Sequence, residues 1–205
     1  MHIRGGYRAV TPIQICNGLA AYDDGRLRYG ALRSYFACLA VLASREAAKR
    51  ARGEPLRDAR HVVRAAEVAK LTGSPEDVAR ADLRRLARVG LIEKEGELVR
   101  VADLALPYAV ELLERASPTR SWRRPIPVPR SLLRFLASCA RPAVAKVLLA
   151  YCLRGLALDR RTGAVRSRGT LKSTWVASTF AVSLRAVKAA RAALVAMELI
   201  GRDEA

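Results

Sequence analysis

The sequence predicts a mainly α fold with short β-hairpins, organised as two tandem units of one layout. Three observations carry that expectation. Apolar residues recur at helical spacing through most of the 205 positions, two short apolar runs flank Glu95-Gly96, and one shift of 108 positions lays the apolar residues of the first half on those of the second. Under that shift Phe36, Leu39 and Ala40 fall on Val144, Val147 and Leu148, and Val68-Ala69 fall on Val176-Ala177. Leu86 falls on Leu194, and Leu91-Ile92 on Leu199-Ile200. Any one apolar coincidence means little, so the weight lies in a single offset serving every element.

Residues 1–29 are the least legible. Asp23-Asp24-Gly25 signals a turn and residues 11–21 suit a short helix, so the segment is read as an N-terminal extension. A long amphipathic helix is expected over residues 30–50, with Leu32, Phe36, Leu39 and Ala43 on one stripe, ended by Gly53-Glu54-Pro55. A second helix covers residues 63–71. After the Thr72-Gly73 turn, Ser74-Pro75-Glu76-Asp77 supplies a cap, a first-turn proline and an acid, which predicts a third helix to about Val89. Gly90 ends it, and Leu91-Ile92 and residues 98–101 read as strands of a hairpin. Helix, helix, turn, helix and hairpin in this order is the layout of a winged helix-turn-helix.

A further helix over residues 106–116 completes the first unit, 30–116. Residues 117–130, with Pro118, Pro125, Pro127 and Pro129, are expected to be a Pro/Arg linker. The second unit, 131–205, repeats the pattern. It has helices over 131–136 and 142–158, a basic connection over 159–170, a short helix over 173–180, and a helix from the Ser183 cap to Met197. Leu199-Ile200 reads as a strand with no return strand, so the wing of this unit is expected to be incomplete.

The 37 Lys and Arg residues outnumber the 19 Asp and Glu residues, for a formal charge of +18. Residues 120–205 carry 17 basic and 4 acidic side chains (net +13), and residues 1–119 carry 20 and 15 (net +5). Such an excess implies a polyanionic partner, and the asymmetry points to the second half. No apolar run reaches the roughly 20 residues of a membrane span, and the N-terminus has no secretory signal, so a cytoplasmic chain with no membrane partner is expected. Cys16, Cys38, Cys139 and Cys152 are far apart and only His2 and His61 accompany them, which argues against a metal site. Cys38 and Cys152, in apolar helical stretches, read as buried thiols.

A helix-turn-helix lays its last helix in the major groove, so the solvent face of residues 183–197 is the candidate reader. At 100° per residue Val187, Ala190, Leu194 and Met197 share a core face, which leaves Arg185, Lys188, Ala189 and Ala192 opposite as candidate base-reading residues. Arg191 on the flank, with Arg160, Arg161, Arg166, Arg168, Lys172, Ser173 and Thr174, forms a candidate phosphate-binding layer. Arg120, Arg123 and Arg124 around Trp122 suit an arm that tracks the backbone or enters a minor groove. In the first unit Arg80, Arg84 and Arg88 are candidate DNA contacts, but Glu76 and Asp77 share their side and Glu93, Glu95 and Glu97 tip the expected wing. That wing is therefore expected to face solvent or a protein, with dimer contacts or a weaker DNA contact in the first unit.

No catalytic constellation emerges. There is no G-x-x-x-x-G-K-[ST] and no H-E-x-x-H, and Tyr151 beside Arg154, the only nucleophile arrangement to weigh, lies on a core stripe. A non-enzyme with no cofactor and no evident small-molecule ligand is expected.

Two stretches carry a resemblance. Residues 64–101, with Glu67-Val68-Ala69-Lys70-Leu71-Thr72-Gly73 and then Asp82-Leu83, Leu86 and Gly90-Leu91-Ile92, resemble the winged helix of many bacterial transcriptional regulators. Residues 171–201, with Trp175-Val176-Ala177 and Ser183-Leu184-Arg185, are similar to a second bacterial winged-helix type. In tandem they also resemble plasmid replication initiators, in which one unit typically mediates dimerisation and both can contact DNA. The resemblance covers architecture more than residues, with no long diagnostic motif, and indicates fold more strongly than pathway. It implies a homodimer on a specific double-stranded DNA site, acting in transcription regulation or plasmid DNA replication. The alternatives are a protein-interaction module of a chromosome or plasmid maintenance complex, and an RNA binder. The 5% aromatic content speaks against the last.

Overall fold

The computed structural model describes residues 6–54, 60–117, 122–158, 165–167 and 170–201. Along the chain run β1 (Tyr7–Val10), α1 (Pro12–Asp23), α2 (Tyr29–Ala51), β2 (His61–Val62), α3 (Ala65–Thr72), α4 (Glu76–Arg88), β3 (Ile92–Glu95) and β4 (Leu98–Val101). After a 3₁₀ turn (Pro107–Ala109) come α5 (Val110–Ala116), β5 (Ile126–Pro129), α6 (Arg130–Ser138) and α7 (Pro142–Gly155). The chain continues through β6 (Leu156–Leu158), β7 (Val165–Ser167), α8 (Ser173–Thr179) and α9 (Leu184–Ala196). The fold is thus mainly helical with small antiparallel sheets, ordered β1-β5, β2-β4-β3 and β6-β7.

The segment expected to be an N-terminal extension is instead part of the core. Thr11 Oγ1 accepts from the Gln14 N–H, Pro12 occupies the first turn, and the helix so started buries Ile13, Ile15, Cys16 and Leu19. Two polar side chains fix it further along the chain: Thr11 donates to Asp103 at 2.8 Å, and Asn17 donates to the Leu104 carbonyl at 2.8 Å while accepting from the Leu106 N–H.

The expected linker is also corrected, since residues 126–129 form a buried strand rather than a spacer. Pro125, Pro127 and Pro129 alternate, so every missing N–H falls on one edge. The other edge keeps its donors: Arg130 N donates to the Gly6 carbonyl at 3.3 Å, and two steps on Val128 pairs with Arg8 and Ile126 with Val10. Alternating prolines therefore make a one-sided edge strand.

α2 is buried almost all round between Ala31 and Ala43, as befits a central helix. α3 and α4 pack on one part of its surface and α6 on another, so the unit expected to begin at residue 131 starts with a helix seated on the first. One continuous set of buried side chains runs from Val10 through α2 to Leu194, in place of two separate cores.

The 108-residue repeat is visible in the backbone. α3 ends at Gly73 (φ 68°) and α8 is followed by Ala181 (φ 49°), both left-handed, and Gly90 (φ 79°) has its counterpart in Glu198 (φ 56°). Ser74 N donates to the Ala69 carbonyl at 3.2 Å, and Val182 N to that of Ala177 at 3.1 Å. Leu91 N reaches Leu86 at 3.0 Å, and Leu199 N reaches Leu194 at 2.9 Å. Two local expectations fail. Ser74 does not cap α4, which starts after Pro75, and its hydroxyl lies 2.6 Å from Thr72 Oγ1 instead. Leu199-Ile200 is not a strand but follows α9 as a bend.

Candidate functional site

α9 is built by local signals. Ser183 Oγ accepts from the Ala186 N–H at 3.2 Å, and the alanine-rich helix that follows buries Val187, Ala190 and Leu194 against α7 and α8. Arg185, Lys188, Ala189 and Ala192 are all exposed on the opposite face. Met197, expected on the core face, is 45% exposed, because the helix ends at Ala196 and the chain turns away through the left-handed Glu198.

Of the expected phosphate layer, Lys172 and Thr174 are exposed at the start of α8. Arg191 is half-buried and donates through Nη1 to Ser173 Oγ at 2.9 Å. The pair joins the flank of α9 to the first residue of α8, so two members of the expected phosphate layer meet at one point. Arg120, Arg160, Arg161 and Arg168 lie outside the described residues. The Arg166 backbone lies in β7, opposite Ala157. The basic connection expected over 159–170 thus contains a strand, β7, paired with β6 at the end of the stretch expected to be helix, and Arg123 and Arg124 are exposed just before β5.

In the first unit Arg80, Arg84 and Arg88 are exposed along α4, with Arg80 held by Glu76 at 2.6 Å. Arg85 turns inward to the α1–α2 connection, where Nε donates to the Arg26 carbonyl at 3.0 Å and the Arg26 guanidinium stacks 4.7 Å over Tyr108. The hairpin β3-β4 differs from its reading as an acidic tip. Glu93 pairs with Arg100 at 2.8 Å, Glu97 with Arg64 at 3.3 Å, and Glu95 with Arg60. Lys94 also lies in the hairpin, so its three acids sit among four cations and its surface is not a negative patch. Sequence reasoning missed this because Arg60 and Arg64 lie some thirty residues before the acids they meet.

The four cysteines are all buried. Burial pushes the Cys16, Cys38 and Cys152 thiols up to about 12, far from the thiolate range. Tyr151, weighed above as a nucleophile, is half-buried on α7. Among the described residues no three His, Cys, Asp or Glu side chains converge, and no helix is long and apolar enough to cross a membrane. Comparison with protein-family models, curated proteins and solved structures finds no match to this chain.

Proposed function

We propose that the chain is a double-stranded DNA-binding protein of two tandem winged helix-turn-helix units, with α9 as the reading helix. The observation that carries this is the exposed face of α9, where Arg185 and Lys188 stand beside the small Ala189 and Ala192, opposite the buried Val187, Ala190 and Leu194. Small neighbours let a helix approach base edges, and an arginine near the helix start can take both guanine acceptors. The short left-handed turn at Ala181, between α8 and α9, suits a helix-turn-helix. The order β2, α3, α4, β3, β4, with β4 between β2 and β3, suits a winged helix in the first unit. The net charge of the second half supports a polyanion as partner. In this reading the protein works in the cytoplasm as a dimer, as a transcriptional regulator or a replication initiator.

The test is duplex binding by fluorescence anisotropy across salt concentrations. Affinity is expected to fall steeply as salt rises, because each neutralised phosphate releases a counterion. Arg185→Ala is expected to relax discrimination at one base pair by about 1–3 kcal/mol, whereas Arg166→Ala weakens all duplexes alike. Equal losses from Arg185→Ala on every sequence would remove base reading from α9, and binding without salt dependence would favour a protein-interaction module.

A further inference from the structure

A groove of about 460 Å³ lies between α2, α3 and α6. Ala40, Val41 and Leu71 make its apolar floor, with Ser44 beside them. Four charged side chains stand around it: Arg45, Lys70, Arg134 and Glu67. Glu67 is taken by Arg45 at 2.7 Å and by the first turn of α3, where it accepts from the Arg64 N–H at 3.2 Å. The Lys70 ammonium and the exposed Arg134 guanidinium remain to face an anion over an apolar floor.

The internal repeat supplies a comparison within the same chain. At the 108-residue offset Glu67 corresponds to Trp175, Arg45 to Leu153 and Ser44 to Cys152. In the second copy the indole of Trp175, on α8, lies 3.7 Å beneath the Arg154 guanidinium of α7 and packs edge-on against Phe180. The chain's own aromatic ring thus lies between the two helices that correspond to α2 and α3. In the first copy small residues and charges take those places and the space stays open.

We propose that the groove between α2, α3 and α6 binds a small organic anion with a flat apolar body, an aromatic carboxylate. The volume falls in the range of small-molecule sites, which pair an apolar surface with a few polar groups that fix orientation. An indole-sized ring matches what fills the second copy, and the carboxylate meets Lys70 and Arg134. The bound molecule would touch α3 and α6 at once. Arg33 already ties these two helices by donating to the Ala137 carbonyl at 2.9 Å and to the Thr72 carbonyl. The inference does not depend on DNA binding.

Isothermal titration of the full chain with indole-3-acetate tests it, with the neutral indole-3-acetamide as control. Saturable one-site binding of the acid is expected, with the amide about fivefold weaker or more, since it lacks the charge that Lys70 and Arg134 meet. The double variant Arg45→Leu, Glu67→Trp gives the groove the residues of the second copy and is expected to lose at least about tenfold in affinity. The exposed pair Lys70→Gln, Arg134→Gln, which leaves the core untouched, is expected to lose about fivefold and carries the test if the filled variant does not fold. No saturable heat up to about 10 mM indole-3-acetate, equal affinity for acid and amide, or unchanged binding in the Lys70, Arg134 variant overturns the proposal.

Discussion

Lys146 on α7 and Asp23 at the end of α1 form an ion pair of 2.6 Å, with the lysine side chain only 9% exposed. The same ammonium donates to the Phe180 carbonyl at 2.9 Å and lies 5.7 Å from the Tyr22 ring centre. Phe180 lies 108 residues after Thr72, whose carbonyl is capped by Arg33, so the two carbonyls at this offset are held by different bases. Lys146→Met is expected to cost about 1–3 kcal/mol, because it leaves a buried carbonyl without a donor. Asp23→Asn should cost less, its side chain being 32% exposed. Urea denaturation of both variants checks the order.

The two left-handed turns predict opposite responses. A Cβ on Gly73 would meet nothing within 4 Å, so Gly73→Ala reports the backbone conformation alone and is expected to destabilise by about 1 kcal/mol. Ala181 already bears that strain at φ 49°, and Ala181→Gly is expected to stabilise by about 0.5–1 kcal/mol. Thermal melts of the two variants should shift in opposite directions.

His61 is held below its ordinary pKa, first by burial and then by Lys49, Arg8 and Arg45. A histidine with a depressed folded-state pKa binds fewer protons folded than unfolded, so stability falls as pH drops below about 6.5 and levels off below the folded value. In His61→Gln this component is expected to vanish. Melting temperatures of both proteins between pH 7.5 and 5 measure it, and an unchanged slope would place the acid sensitivity elsewhere.

The paired acids of the β3-β4 hairpin give a fourth expectation. These pairs are exposed and contribute little to stability, so changing Glu93, Glu95 and Glu97 to Gln together should barely move the melting temperature. With α9 as the reader, duplex affinity should stay within about twofold. A large gain would instead put the released Arg60, Arg64 and Arg100 on the duplex, and anisotropy at low salt distinguishes the two.

How much was legible follows the range of the forces involved. The bounds of α3, α4, α8 and α9 and the buried and exposed faces of α9 were readable, since helical periodicity and the Ser183 cap act within a few residues. Ser74 shows the limit even there: its sequence signature is that of a cap, yet the chain starts α4 one residue later and spends the hydroxyl on Thr72. β5 was missed because prolines were weighed as helix breakers and not by their period of two.

By itself the sequence determined the helical framework, the repeat of 108 residues and the concentration of positive charge in the second half. These follow from local periodicity, capping and composition. Only the tertiary structure decided that α1 and β5 belong to a continuous core, that each acid of the hairpin meets an arginine, and that a groove opens beside α3. Apart from Glu93, whose Arg100 lies just across the hairpin, these rest on partners brought together from far along the chain, where neither spacing nor periodicity carries the pairing.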